Sequence, residues 1–397
     1  MTKPNQGTLT GHTIEFIQVL RGLAALAVVI LHAGWEHADY GADLRIRHAL
    51  SSGIAGVDLF FVISGFIMYC TIPVNAEGWQ AAWQFAVKRF SRIWPPYAVW
   101  TLVLVLMTLL VPEPKLLLPA WHLRDLAFSL LFLPTSRLFF APAYTLPVLD
   151  VGWTLYYEAY FYASLAVCLW FGRWKWAVFA GWLTLAIVVI PLLRGAPLLD
   201  PNLFPPGNAL LLNTLTSPIM WEFAAGVAIG WIYRQGIRFP SASVGIAATV
   251  IASAFLVVQC VVTKQVLHGL TGAGLPITLI VLSLALTPRG QHGTWKPMLW
   301  LGKVSFSLYL AHKPVILALE TILSIRRVRL DPFMLATFVL VACMVSIIVA
   351  GISYHLLEAG LSNRIRDILL TRDRFGTHVI ADATVHDPSP HRPAGDA

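Results

Sequence analysis

Long apolar runs follow one another along almost the whole chain, and short polar or charged segments separate them. A run of about 20 apolar residues has the length that an α-helix needs to cross the hydrocarbon core of a bilayer. The pattern therefore predicts an all-α, polytopic membrane helix bundle with about ten transmembrane helices. They are expected near residues 14–35, 53–73, 93–112, 150–171, 174–194, 208–233, 240–262, 270–287, 302–323 and 332–357.

The two ends of the chain differ from this apolar middle and define the expected domains. We predict a cytoplasmic N-terminal segment over residues 1–13, a transmembrane domain over 14–360 and a cytoplasmic polar tail over 361–397. The tail is expected to be disordered towards its C-terminus, because residues 376–397 contain few large apolar side chains. Both ends are assigned to the cytoplasm of an inner-membrane protein. The segments on the same side of the membrane as the N-terminus carry more than half of the 28 Lys and Arg residues, and such segments are usually cytoplasmic.

The composition agrees with a membrane protein and argues against several other classes. Hydrophobic residues make up 57% of the chain and charged residues 12%, against about 25% charged in an average soluble domain. The formal charge of +8 does not indicate nucleic-acid binding, because the basic residues are scattered between apolar runs instead of forming one basic module. Neither a disulfide framework nor a metal site is expected, since the four cysteines lie in apolar runs without metal-ligand spacing. They are Cys70, Cys168, Cys260 and Cys343.

The first apolar run contains two ionisable residues, Arg21 and His32, eleven positions apart. Eleven residues make about three turns of an α-helix, so both side chains leave one face, about 16 Å apart along the axis. A lone histidine near a helix end is more often an interface residue than a catalyst. Charged and titratable groups inside a membrane helix are costly, however, so the pair is interpreted as a candidate functional site.

A basic cluster, Lys88, Arg89 and Arg92, precedes the third apolar run. Arg89 and Arg92 are three residues apart and are therefore neighbours on one helical face. Pro95 and Pro96 follow directly, and proline is favourable in the first turn of a helix, so we predict a helix start there. The free N–H groups of a helix start bind anions, and together with the arginines they would hold phosphate. The alternative is that the basic residues are ordinary cytoplasmic anchors of a membrane helix.

Three further ionisable residues, Asp58, Glu222 and His312, lie inside apolar runs. Asp58 stands in a glycine-rich stretch, Gly56 to Phe66, which we expect to pack closely against other helices. A carboxylate at that depth requires a partner. Glu222 and His312 are equally compatible with hydrogen bonds to neighbouring helices and with a direct role in a site.

These residues belong to a longer, ordered set of motifs. The set comprises Arg21 with His32, Gly56 to Phe66, Arg89 and Arg92 with Pro95 and Tyr97, Trp153-Thr154-Leu155-Tyr156-Tyr157-Glu158, Trp221-Glu222-Phe223 with Gly226, Gly274-Leu275-Pro276, and Leu301 to His312. In this order the motifs resemble the acyltransferase-3 family of integral membrane acyltransferases over residues 14–360, and the members that acylate exopolysaccharides in particular. The chain departs from the family pattern where Glu358-Ala359-Gly360 replaces Glu-x-Pro, which leaves open how the last helix ends.

The resemblance implies an enzyme that moves an acyl group, most often acetyl, from cytoplasmic acyl-CoA to a sugar hydroxyl at or beyond the membrane. A neutral imidazole can act as general base for the hydroxyl or can carry the acyl group transiently, and His32 is the candidate for either role. Glu158 could orient this imidazole, and Arg21 could steer the thioester carbonyl or a CoA phosphate. No metal is expected. The candidate ligands of acyl-CoA are Lys88, Arg89 and Arg92.

These assignments require a route through the protein. If CoA phosphates bind at the arginines while His32 lies about 27 Å from the start of its helix, the acyl arm must enter the bundle. We therefore predict a narrow polar channel. Its lining is expected to comprise Arg21, Asp58 and Glu158, with Glu222 and His312 as further candidates.

The expected partners are a carbohydrate or lipid-linked saccharide acceptor, membrane lipid and the machinery of polysaccharide synthesis, without nucleic acid. Two alternatives remain open from the sequence. Buried Arg, Asp, Glu and His residues also occur in proton-coupled transporters of saccharides or related solutes, although the chain lacks the clear internal repeats of many transporters. A non-catalytic component of a polysaccharide synthesis complex is the other alternative.

Overall fold

The computed structural model describes residues 11–38, 50–110, 122–136, 138–207, 209–263, 267–288, 295–323 and 330–371. Within these ranges the chain is helical, and its only β-type contact is a single bridge between Leu138 and Thr145. The prediction of an all-α bundle is confirmed. Residues 1–10 and 372–397, which include most of the two predicted terminal segments, lie outside the described part of the chain.

The helices are numbered here in chain order. They are α1 (Gly11–Ala38), α2 (Ala55–Thr71), α3 (Gly78–Leu110), α4 (Leu123–Leu130), α5 (Trp153–Leu169), α6 (Gly172–Arg194), α7 (Leu210–Leu215), α8 (Met220–Arg234), α9 (Ala242–Thr263), α10 (Gly274–Leu286), α11 (Lys296–Lys303), α12 (Ser305–Leu323), α13 (Pro332–Ser353) and α14 (Asn363–Thr371).

Each of the ten predicted apolar runs contains a helix. Eight helical segments in the described ranges are long and apolar enough to cross a membrane. Two predicted helices are present but shorter, since α5 has 17 residues and α10 has 13. The structure is therefore a polytopic bundle of the predicted kind.

The start of the third helix was predicted wrongly. Instead of beginning near residue 93, α3 begins at Gly78 and continues for 33 residues, with Pro95 and Pro96 inside it. Proline lacks a backbone N–H and usually ends or bends a helix, but both prolines are buried here, so packing holds them within a continuous helix. Arg89 and Arg92 consequently lie within a helix rather than before one, and the predicted anion site on free N–H groups does not form at this point.

The last helix also continues beyond its predicted end. After Ser353 the chain forms a nine-residue π-helical segment, Tyr354–Ser362, and passes directly into α14. The Glu358-Ala359-Gly360 sequence lies inside this segment. Without the proline of the family pattern, nothing in these three residues interrupts the helix.

Helix α2 occupies the centre of the bundle. In its apolar window 72% of the residues are buried, against 11% in α9, which presents its apolar side chains to the surroundings. Helix α2 packs on α8 with almost no space between the backbones. A Cβ atom on Gly65 would lie 2.1 Å from the carbonyl oxygen of Phe223, and one on Gly226 would lie 2.1 Å from that of Val62. The close packing predicted for the glycine-rich stretch is confirmed, because no side chain fits at either position.

Candidate active site

An open cavity lies among α1, α2, α3, α5 and α12. Its empty volume, including the mouth, is about 700 Å³. Its charged lining residues are Arg21, Arg89, Arg92 and Glu158, and apolar residues of α2 form much of the remaining wall. The residues at its boundary are Arg21, Val57, Phe60, Phe61, Ile63, Ser64, Ile67, Met68, Arg89, Arg92, Ile93, Thr154, Leu155, Glu158, Tyr162, Phe306 and Tyr309.

Three guanidinium groups meet in this cavity. Arg89 and Arg92 project from adjacent turns of α3, and Arg21 reaches the same space from α1, within electrostatic range of Arg92. The Arg89 guanidinium lies over the rings of Phe85 and Tyr162, 5.6 Å from each centroid. Its Nε atom is buried and has no hydrogen-bond partner in the described part of the chain. A planar, permanently charged group with an unused donor is well suited to bind phosphate or carboxylate.

Glu158 faces the arginines from α5. Its Oε1 atom accepts hydrogen bonds from the hydroxyl of Tyr162 and, at 3.4 Å, from that of Ser64. These contacts engage the carboxylate inside the arginine-lined cavity and not at His32. The orienting role predicted for Glu158 therefore finds no contact to support it within the described residues.

A second carboxylate near the arginines was missed by the sequence analysis. Glu358, on the π-helical segment, accepts hydrogen bonds from the backbone N–H of Ser307 at 3.0 Å and from its hydroxyl at 2.6 Å. It lies within electrostatic range of Arg21 and Arg92. A glutamate directly after a long apolar run was the available signal. The two carboxylates offset part of the positive charge around the cavity.

Tyr309, on α12, and Thr154, on α5, contribute neighbouring hydroxyl groups to the cavity wall. Their hydroxyls are 2.9 Å apart, and the Tyr309 hydroxyl also donates to the carbonyl oxygen of Val151 at 2.9 Å. His312 does not line the cavity, but its ring centroid is 5.9 Å from that of Tyr309, which does.

Two histidines from different helices form a pair next to Tyr309. The ring centroids of His32, on α1, and His312, on α12, are 5.2 Å apart. His312 is fully buried and His32 is partly buried. An ion pair between Lys313 and Asp150, with 3.2 Å between Nζ and Oδ2, lies within electrostatic range of His32. The site thus combines an arginine-lined cavity with an imidazole pair.

Comparison with known proteins identifies the family of the chain. The family model described as an acyltransferase domain matches residues 14–355. The chain belongs to this acyltransferase family. It is an O-acyltransferase-type membrane enzyme, and this membership argues against the transporter and the non-catalytic alternatives. No solved structure matches the chain.

Individual relatives of this acyltransferase agree with the family. Exopolysaccharide production protein ExoZ of Rhizobium meliloti is 32% identical over 69% of this chain and 80% of its own length. Acyltransferase MdmB of Streptomyces mycarofaciens is 27% identical over 75% of this chain and 77% of its own. Peptidoglycan O-acetyltransferase OatA of Listeria monocytogenes is 24% identical over 79% of this chain and 51% of its own.

Three residues predicted to line the acyltransferase channel do not border the cavity. Asp58 and Glu222, both fully buried, lie in a separate cluster. His312 lies next to Tyr309 but is not part of the cavity wall. The ring of His268 donates through Nδ1 to Asp58 at 2.9 Å. No sequence pattern indicates this partner, because 210 residues separate the two positions.

Lys88 is also absent from the cavity wall. Successive residues of a helix are turned by about 100° from each other, whereas Arg89 and Arg92, three positions apart, share a face. Lys88 is turned by about 100° from Arg89 and by about 40° from Arg92, so it projects from the edge of this face that is farthest from Arg89. Of the predicted acyl-CoA ligands, the structure brings together Arg89 and Arg92 but not Lys88.

Proposed function

We propose that this O-acyltransferase transfers an acyl group, most simply acetyl, from cytoplasmic acyl-CoA to a hydroxyl of an exported or surface carbohydrate. His32 is the reacting imidazole. The observation that carries the proposal is the arrangement of the site: three arginines line an open cavity, and an imidazole pair lies next to Tyr309, a residue of the cavity wall. Such a transfer requires a site that binds the phosphate groups of the donor and a neutral nitrogen base close to that site.

The donor binds with its phosphates at Arg89 and Arg92. The unpartnered Nε of Arg89 supports this assignment, because a buried donor without an acceptor is unfavourable until an anion satisfies it. Arg21 lines the same cavity from α1 and interacts with the thioester carbonyl or with a phosphate. In this orientation both chain termini are cytoplasmic, as the distribution of basic residues predicts.

The acyl group reaches His32 past Tyr309 and Thr154. Both side chains line the cavity, and the Tyr309 ring adjoins His312, so this route requires them to move before the thioester can approach His32. In direct transfer His32 removes the proton of the acceptor hydroxyl as its oxygen attacks the thioester carbonyl; the C–S bond breaks and CoA leaves as the thiol with that proton. In the two-step route the imidazole nitrogen attacks the carbonyl, CoA leaves as the thiol with the imidazole proton, and the acyl-imidazole then passes the acyl group to the hydroxyl, whose proton returns to His32. Both routes use the same imidazole nitrogen.

The acceptor is a carbohydrate that approaches from the opposite side of the membrane. The names of two relatives support this class, since ExoZ is an exopolysaccharide production protein and OatA is a peptidoglycan O-acetyltransferase. The partly exposed Lys313–Asp150 ion pair near His32 supplies polar groups on the approach.

The test uses the purified protein in lipid vesicles with labelled acetyl-CoA on one side and a polysaccharide or lipid-linked saccharide on the other. We expect label in the saccharide for the wild type and its loss in His32→Ala. His355→Ala is the control, because His355 is exposed on the π-helical segment and contacts only the neighbouring Tyr354 ring among the aromatic groups described. Undiminished transfer by His32→Ala would refute the assigned role of the imidazole.

A further inference from the structure

His312 has a defined tautomer in this structure. Its Nδ1 atom lies 3.3 Å from the carbonyl oxygen of Leu308, one turn earlier in α12. A carbonyl oxygen only accepts hydrogen bonds, so Nδ1 carries the proton in this contact. In the neutral ring the other nitrogen, Nε2, is then an acceptor with a free lone pair. The backbone of α12 therefore fixes which nitrogen of His312 can receive a proton donor.

That acceptor is buried and lacks a partner. Nε2 of His312 has no hydrogen bond within the described residues, and the side chain is 0% exposed. Two neighbouring side chains are already engaged. The Tyr309 hydroxyl donates to Val151 and meets Thr154, and the Lys313 ammonium pairs with Asp150. A buried polar atom left in this way requires an explanation.

The ring of His32 is the neighbouring group with a suitable donor. Two imidazoles joined by a linear N–H···N hydrogen bond of about 2.9 Å have centroids about 5.1 Å apart, because each ring nitrogen lies roughly 1.1 Å from its centroid. The observed separation of the His32 and His312 centroids is 5.2 Å. The rings are inclined by 33° and no hydrogen bond joins them in this arrangement, so the bond requires the His32 ring to rotate while His312 keeps its contact with Leu308.

We propose that His312 is a positioning residue, which accepts an N–H hydrogen bond from His32 and so directs the other, unprotonated nitrogen of His32 to the reacting acyl group. The inference rests on the proposed function, in which His32 reacts. It gives His312 the orienting role that a carboxylate has in a catalytic triad. It also explains how His32 is oriented without Glu158, whose carboxylate accepts hydrogen bonds from Tyr162 and Ser64 instead.

Two variants of His312 distinguish its two nitrogens. In His312→Gln the side-chain amide extends to the position of Nε2 and retains an acceptor towards His32. In His312→Asn the shorter amide coincides with Nδ1, retains the contact with Leu308 and leaves nothing towards His32. Loss of the partner that fixes a catalytic imidazole is expected to lower kcat about 100-fold or more in the Asn variant. The Gln variant should retain activity within about tenfold of the wild type, since its amide oxygen still accepts a hydrogen bond.

The measurements are kcat and KM for acetyl-CoA, together with ¹⁵N NMR of ring-labelled histidine in the intact protein in lipid. KM should remain at the wild-type value in both variants, because His312 does not border the arginine-lined cavity. The His32 signals, identified by their absence in His32→Ala, should report one tautomer in the wild type and in the Gln variant and a mixture in the Asn variant. His355→Leu, at an exposed histidine, should change neither kcat nor the His32 signals.

Equal kcat in the Asn and Gln variants, or an unchanged His32 tautomer in the Asn variant, would overturn the positioning role. Failure of the proposed function has a different signature, because His32→Ala would then transfer acyl groups at the wild-type rate. If the Asn variant does not fold, His312→Leu replaces it, because leucine retains the apolar bulk and lacks an acceptor. A mixture of His32 tautomers in this variant would support the positioning role, and an unchanged tautomer would overturn it.

Discussion

Asp58 and Glu222 accept hydrogen bonds from the same backbone N–H. The amide of Gly269 lies 2.9 Å from Oδ1 of Asp58 and 3.0 Å from Oε1 of Glu222, and neither carboxyl group has any exposed surface. Asp58 belongs to α2 and Glu222 to α8, so one peptide group of the loop before α10 joins the two central helices. His268 provides the next contact, with Asp58. The cluster is a structural connection between helices and does not border the cavity.

Replacing Asp58 should therefore destabilise the protein more than it changes donor binding. Asp58→Ala leaves the ring N–H of His268 without its acceptor and creates a small void, and we expect a loss of about 3 kcal/mol in the free energy of unfolding. Thermal unfolding followed by tryptophan fluorescence in detergent measures this loss. Asp367→Ala, at a mostly exposed residue paired with Arg366, should change stability by less than about 0.5 kcal/mol. Equal stability of the two variants would contradict the structural role.

The backbone contact between α2 and α8 predicts a large effect from a single methyl group. A Cβ atom on Gly226 would lie 2.1 Å from the carbonyl oxygen of Val62, which cannot move without displacing α2. We expect Gly226→Ala to lower stability by about 2 kcal/mol or more through overpacking. Gly181→Ala in α6 is the matched control, because a Cβ atom there meets nothing within 4 Å. It should be neutral or stabilising by about 0.5 to 1 kcal/mol, since alanine favours helix over glycine. Unfolding in denaturant distinguishes the two, and a stable Gly226→Ala protein would show that the helices are farther apart.

The positions of the helices were largely predictable, because each apolar run must satisfy its own backbone within the membrane. The boundaries of α3 were not. Pro95 favoured a helix start on local grounds, whereas burial of Pro95 and Pro96 in the bundle keeps them inside a longer helix. Tertiary packing thus overrode a local preference that is sound for an isolated helix.

The candidate site was predictable where its residues share one helix. The spacing of Arg21 from His32, and of Arg89 from Arg92, follows from the helical period alone. Contacts between distant segments do not follow from the helical period. The hydrogen bond from His268 to Asp58 and the proximity of His312 to His32 depend on how the helices pack, which the sequence pattern of one helix does not determine.

The cavity distinguishes Arg89 from its neighbour Lys88 as a ligand of the donor. Arg89→Ala should raise KM for acetyl-CoA roughly 10- to 100-fold, because a buried, charge-assisted hydrogen bond contributes about 1.5 to 3 kcal/mol. Lys88→Ala should leave KM near the wild-type value, since Lys88 does not line the cavity. Steady-state kinetics with labelled acetyl-CoA provide both values. A larger effect at Lys88 than at Arg89 would mean that the donor binds on a different face of α3.

The hydroxyl of Tyr309 should control access to His32. It donates to Val151 and contacts the hydroxyl of Thr154. Loss of two hydrogen bonds of about 1 kcal/mol each would raise the population in which the residue 309 side chain is displaced roughly tenfold or more. In Tyr309→Phe we therefore expect diethyl pyrocarbonate to modify His32 about tenfold faster than in the wild type, as read by peptide mass spectrometry. Tyr160→Phe is the matched control, because the Tyr160 hydroxyl is buried on α5 without a hydrogen-bond partner in the described ranges. If both phenylalanine variants react at the wild-type rate, the reagent reaches the imidazole by a path that Tyr309 does not close.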